Sequence, residues 1–170
     1  MTLKIIGALL IVVACGALGF GIAAAHRREV RVLRELIGAL DFMECELQFR
    51  MTALPELCRQ TAAETKGVLS RVFSMLAGEL ENQISPDVRS CMGAVTAKVR
   101  DIPGKTLESL RLLGDSLGKF DLYGQLRGLD TVRQECRVKL SSLMGNSEAR
   151  VRSYQTLGLC AGAALVILLM

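Results

Sequence analysis

The sequence predicts an all-α protein: a membrane-anchored helical bundle whose long first and last helices run into the membrane. Three observations carry this. Charge-free apolar segments stand at both ends of a chain of 170 residues. The middle repeats apolar residues at spacings of three and four, the period of a helix buried along one face. Aromatic residues make up 4%, Trp is absent, and no stretch alternates apolar with polar, which argues against a sheet.

The first segment runs from Ile5 to Ala25 without a charge. As a helix it spans about 31 Å, close to the hydrocarbon thickness of a bilayer. Two rivals involve processing. Ala23-Ala24-Ala25 resembles a signal cleavage site, and Val12-Val13-Ala14 before Cys15 resembles a lipobox. The apolar core is longer than a signal peptide needs, and its stronger basic cluster follows it. Lipidation at Cys15 would leave an apolar stretch where a polar tether belongs. The expectation is a retained membrane helix. The second segment, Thr156 to Met170, is charge-free over only about 22 Å. It reads as a short crossing, with Arg152 and Tyr154 as interfacial anchors, or as an apolar partner buried in protein. Insertion is the expected outcome.

Basic residues set the expected orientation. Arg27, Arg28, Arg31 and Arg34 follow the first segment, against Lys4 before it; Arg150 and Arg152 precede the second. Both flanks put the middle in the cytoplasm. The expected division is residues 1–26 as the first membrane helix, 27–153 as a cytoplasmic bundle and 154–170 as the short second crossing.

Within the middle, Val32, Leu36, Leu40, Met43 and Leu47 mark one helix face. No breaker separates them from the first segment, so one helix is expected to run on to about Met51. The three prolines fall at expected helix starts: Pro55 after Thr52, Ser85-Pro86-Asp87 as a cap and first turn, and Pro103-Gly104 as a turn with Thr106 as cap. Leu69, Val72, Phe73, Leu76 and Leu80 form a second stripe, and Leu107, Leu110, Leu113 and Leu117 a third. Asp121 is positioned to cap a last helix through Leu122, Leu126, Leu129, Cys136, Leu140 and Leu143. Gly145-Asn146-Ser147 either breaks that helix or is run through.

The chemistry is mostly negative. His26, the single histidine, stands at a membrane edge, so triads and zinc sites lack their usual groups. Six cysteines, at 15, 45, 58, 91, 136 and 160, show no C-x-x-C spacing and read as free thiols. Gly104-Lys105-Thr106 copies the end of a P-loop, but Val99 replaces the required glycine, Pro103 removes an amide and no strand precedes. Glu44 and Glu46 point apart on a helix; Glu44 can reach Gln48, and Glu46 can reach Arg50. No catalytic, cofactor or metal residue is expected. Ala17, Gly21 and Ala25, with Gly158 and Gly162, follow small-xxx-small spacing that allows close helix packing in lipid.

A family resemblance rests on an ordered series of fragments. They are Leu3-Lys4-Ile5-Ile6-Gly7-Ala8-Leu9-Leu10, Leu40-Asp41-Phe42-Met43-Glu44-Cys45-Glu46-Leu47, Thr52-Ala53-Leu54-Pro55-Glu56 and Phe120-Asp121-Leu122-Tyr123-Gly124-Gln125-Leu126. Tyr154-Gln155-Thr156-Leu157-Gly158-Leu159, Gly162 and Ile167-Leu168-Leu169 close the series. Over nearly the whole chain this resembles the stage III sporulation protein AB family of endospore-forming bacteria. Ala53 stands where the family often has proline, and Phe49 where it often has tyrosine. The resemblance implies a fold similar to the cytoplasmic domain of the platform protein of type II secretion and type IV pilus systems. It implies a non-enzymatic scaffold in a channel complex between mother cell and forespore, in the mother-cell membrane around the forespore. The implied partners are a cytoplasmic secretion-type ATPase and the other membrane subunits. Two other readings stand beside it: a platform component of another secretion or pilus system, and an exported lipoprotein or binding module.

Overall fold

The structure, a computed structural model, describes the backbone of residues 2–82, 87–118 and 121–169, and the side chains of residues 21, 23–82, 87–118 and 121–145. Six helices follow one another: α1 (Thr2–Arg50), α2 (Leu54–Glu64), α3 (Gly67–Glu81), α4 (Val88–Lys98), α5 (Gly104–Ser116) and α6 (Leu122–Leu169). The described residues contain no strand. Contacts divide the chain into two units, Glu29–Ser141 and Met1–Arg28 with Ser142–Met170.

As expected, α1 is unbroken to Arg50; of the two courses open at Gly145-Asn146-Ser147, α6 takes the unbroken one. Each has the sequence to do so, since no proline interrupts either. α1 stops because Met51 takes a left-handed backbone, with φ 49°. Glu46 ties the turn: it pairs with Arg50 at 3.3 Å and accepts the Thr52 hydroxyl at 3.3 Å.

The apolar stripes form the core of Glu29–Ser141. Val32, Leu36, Leu40, Met43 and Leu47 are buried, joined by Leu33 and Ala39. Leu69, Val72, Phe73 and Leu76 are buried on α3, and Leu110, Leu113 and Leu117 on and just after α5. From α6 the core takes Leu129, Val132 and Cys136. Leu80, Leu107, Leu122, Leu126 and Leu140 lie only half-buried at the margins. Two helix pairs come close because a side chain is missing. A Cβ on Gly114 would lie 2.8 Å from the Met92 Cβ, bringing α5 onto α4. One on Gly128 would lie 2.7 Å from the Ser116 Cβ, bringing α6 onto the end of α5.

Two expected caps, those of α4 and α5, are corrected. α2 is capped by Ala53, because the Thr52 hydroxyl goes to Glu46 instead. α4 is capped by Asp87, whose carboxylate accepts the Ser90 amide at 2.6 Å; Ser85 and Pro86 lie outside the described residues. α5 begins at Gly104 after Pro103, so Thr106 is inside the first turn and fully buried. Asp121 caps α6 as expected, accepting the Gly124 amide at 3.0 Å.

Two of the helices without a capping side chain borrow one from α1. Glu35 accepts the backbone amide of Lys66, the residue before α3, at 2.5 Å. That is the bond a glutamate three residues into the helix makes in a capping box, where α3 has Leu69. Glu29 accepts the Lys105 amide in the first turn of α5 at 3.1 Å, where Pro103 has no side-chain oxygen to offer. A negative charge is also favoured at both helix starts by the peptide dipoles.

Candidate functional site

Polar side chains gather along α6. Arg133, with 18% of its side chain exposed, reaches Asp41 at 3.0 Å and contacts Glu44, both on α1, and turns back to Asp130 on its own helix. Its Nε is buried without a hydrogen-bond partner. Burial works against the guanidinium charge, but hydrogen bonds to Asp130 and Asp41 and the field of Glu44 outweigh it and raise its pKa. Farther along α6, Lys139 reaches Glu135 at 2.7 Å, and Glu108 and the Ser109 hydroxyl of α5, both at 3.2 Å.

Sequence spacing anticipated the Glu46–Arg50 pair but not the destination of Glu44. Glu44 leaves Gln48 and goes to Arg133, which is 89 residues away in the chain. The signal that points to it is a charged residue, Arg133, immediately beside the buried Val132.

The fragment Gly104-Lys105-Thr106 is occupied by the fold itself. Its Lys105 amide is bonded to the Glu29 carboxylate, which stands where a phosphate would be needed. The Thr106 hydroxyl is fully buried, so it is not placed to meet a solvated magnesium ion. A helix start already holding a carboxylate repels a second anion.

In the unit made by the chain ends, the His26 Nε2 donates to the Leu143 carbonyl at 3.2 Å, so the single histidine links α1 to α6. Ala23 and Leu143 are buried there. Gly21 and Ala25 are exposed, and among the described residues a Cβ on Gly21 would meet no atom within 4 Å. Ala17, Gly158 and Gly162 lie outside the described residues, as do Arg150 and Arg152. Arg27, Arg28, Arg31 and Arg34 are all exposed. Among the described residues, no group of three or more His, Cys, Asp or Glu is placed to hold a metal ion, and no helix is long and apolar enough to cross a membrane. The two apolar segments fall mostly on residues whose side chains are not among those described.

The four cysteines within the described residues are free. Cys45 is exposed, while Cys58, Cys91 and Cys136 are buried. Burial pushes the Cys58 thiol up to about 12 from its usual 9.0. Burial also raises Cys136, opposed by its hydrogen bond to Ser109 and by the charge of Lys139. Iodoacetamide at neutral pH is therefore expected to modify Cys45 and to spare Cys58, Cys91 and Cys136 until the chain is denatured, as read by mass spectrometry of the peptides. The same shift gives a pH dependence. Between pH 9 and about 12 the unfolded Cys58 thiol has lost a proton that the folded one keeps. Stability therefore falls as pH rises through that window. Cys58→Ala is expected to flatten this alkaline loss, measured as melting temperature against pH.

Comparison with known proteins follows the same path. The family model described as stage III sporulation protein AB matches residues 4–170. The chain belongs to the stage III sporulation protein AB family. A curated member, stage III sporulation protein AB of Bacillus subtilis (strain 168), is 26% identical over 171 residues, which is 99% of each protein. A solved structure of stage III sporulation protein AB shares the fold, with a TM-score of 0.62 and 20% identity, over 71% of this chain and 96% of that one. The family match takes in the first apolar segment as well as the bundle. The bundle expected from the apolar stripes and the family expected from the ordered fragments are therefore both found, and the chain is a sporulation protein.

Proposed function

We propose that this sporulation protein is a membrane-anchored scaffold of the channel complex between mother cell and forespore, coupled to a separate secretion-type ATPase and itself catalysing no reaction. The observation that carries this is the continuity of α1 and α6, each of which joins the central bundle to one of the apolar ends. Ile5–Ala25 and Thr156–Met170 are the proposed membrane helices, and the arginines at 27, 28, 31, 34, 150 and 152 favour a cytoplasmic bundle. Energy from nucleotide hydrolysis then has to come from a partner, since the one phosphate-loop-like fragment is filled by Glu29. A bundle fixed to the membrane at both ends is suited to passing a partner's movement to neighbouring membrane subunits. Family membership supports the sporulation setting.

The exposed thiol of Cys45 tests the topology. A membrane-impermeant maleimide is expected to label it only after mother-cell membranes are permeabilised. Full-length protein solubilised from sporulating cells is expected to carry a secretion-type ATPase with it. Labelling of Cys45 in intact cells would place the bundle beyond reach of ATP and overturn the coupling. Purification without any ATPase under conditions that retain other membrane subunits would leave a scaffold but remove its motor.

A further inference from the structure

Within Glu29–Ser141, α6 runs antiparallel to α1. Lys139 sits by Glu108, one turn beyond the Lys105 amide that Glu29 holds, while Arg133 sits by Asp41 and Glu44. Later residues of α6 thus lie beside earlier residues of α1. Both helices bury apolar residues at heptad spacing: Leu33, Leu36, Leu40, Met43 and Leu47 on α1, and Leu129, Val132 and Cys136 on α6. Repeated spacing of this kind specifies which faces are buried better than it specifies their axial register. Sliding one helix by seven residues presents a similar apolar face again.

We propose that Arg133 fixes the register of α6 on α1 by making one-heptad slips in either direction unfavourable. Displaced one way, its guanidinium would leave Asp41 and Glu44 for the level of Arg34 and Ile37, meeting a like charge. Displaced the other way, it would face Gln48 and Met51 and find no carboxylate on α1, keeping only Asp130 of its own helix. In either slip a leucine, Leu126 or Leu140, would take its place beside Asp41 and Glu44. With 18% of its side chain exposed, Arg133 cannot recover full hydration in place of those partners. Lys139 does not discriminate in this way. Seven residues to either side of Glu108 stand Asp101, in the turn before α5, and Asp115, on α5, so a slipped Lys139 still has an acid at its level. The register information therefore sits in Arg133 and its α1 carboxylates, as a single polar residue does in a coiled coil.

Three disulfide reporters read the register in the full-length chain. A cysteine at Arg137 is combined with one at Gly38, at Arg31, or with the natural Cys45, which is made Ser in the first two; all four positions are exposed. The pair at 38 and 137 lies one turn from the Asp41–Arg133 contact and reports the register seen here. The pairs at 31 and 45 report the two slips. With Arg133 present, oxidation is expected to favour the 38–137 disulfide by about tenfold, and Arg133→Met is expected to bring the three yields towards parity. Arg133→Glu is expected to do the same, and adding Asp41→Lys with Glu44→Lys to restore the preference. An unchanged preference in folded Arg133→Met overturns the proposal. Should that variant fail to fold, the charge reversal decides: a restored 38–137 preference supports the proposal, and equal yields overturn it.

Discussion

Phe73→Ala is expected to lower the stability of the chain by about 3–5 kcal/mol. Phe73 is fully buried on α3, on the stripe with Leu69, Val72 and Leu76, which are fully buried too. Truncation there removes a ring from water-free surroundings and leaves a cavity that fully buried leucines are poorly able to close. Against a total stability on the order of 5–15 kcal/mol, the loss is a large fraction. Thermal unfolding followed by circular dichroism should show the midpoint fall by roughly 6–20 °C. Phe49 provides the contrast, since it is 76% exposed at the end of α1. Phe49→Ala is expected to change stability by less than about 0.5 kcal/mol. Equal losses in the two variants would mean that the core does not lie where the α3 stripe puts it.

That contrast also shows what the sequence makes legible. Burial periodicity is a local property, so the order of residues alone displays the α1 and α3 stripes. The long course of α1 is legible for a similar reason, since the chain carries no proline before Pro55. Helix starts are harder to read. Thr52 and Thr106 have the right chemistry for a cap, but Glu46 claims the first hydroxyl and the fold buries the second. Two helix starts are instead satisfied from a distance, α5 by Glu29 and α3 by Glu35, which lie 76 and 31 residues in the chain from the amides they accept. Nothing in local spacing announces such partners. Glu44 makes the same point: its neighbour at i+4 is an uncharged glutamine, and a guanidinium on α6 binds a carboxylate more strongly.

The same division separates the family from its mechanism. Family membership is carried by the order of fragments along the chain, which a sequence states directly. The contacts that hold α6 in place, Arg133 to α1 and Lys139 to α5, join residues far apart in the chain. Both lie within Glu29–Ser141, on the part of α6 that belongs to the bundle. Their charge-assisted bonds are partly buried, so salt screens them less than it screens ion pairs at the surface.

Gly118→Val is expected to cost about 2–4 kcal/mol, although the residue itself is exposed. Two independent effects act together. Gly118 has φ +77°, a left-handed backbone that a β-branched residue adopts only with strain on the order of 1–2 kcal/mol. A Cβ there would also lie 2.5 Å from Val88 Cγ2 and 3.7 Å from Leu54 Cδ2, so the side chain has to displace the first residue of α4. The position follows α5 and leads into α6, which leaves the backbone little freedom to choose another turn. Gly78→Ala is the matched control: Gly78 lies within α3, has no positive φ, and among the described residues a Cβ there meets nothing within 4 Å. It is expected to raise stability by about 0.5–1 kcal/mol, because glycine is the poorer helix former. Adding Val88→Ala to Gly118→Val separates the two causes. Removing the clashing methyls is expected to recover the steric part of the loss and to leave the backbone strain, so urea unfolding should place the double variant between Gly118→Val and Val88→Ala corrected for its own lost burial. Full recovery would show that crowding alone was responsible and that the left-handed turn at Gly118 carries no cost. No recovery at all would show that Val88 does not pack against this turn.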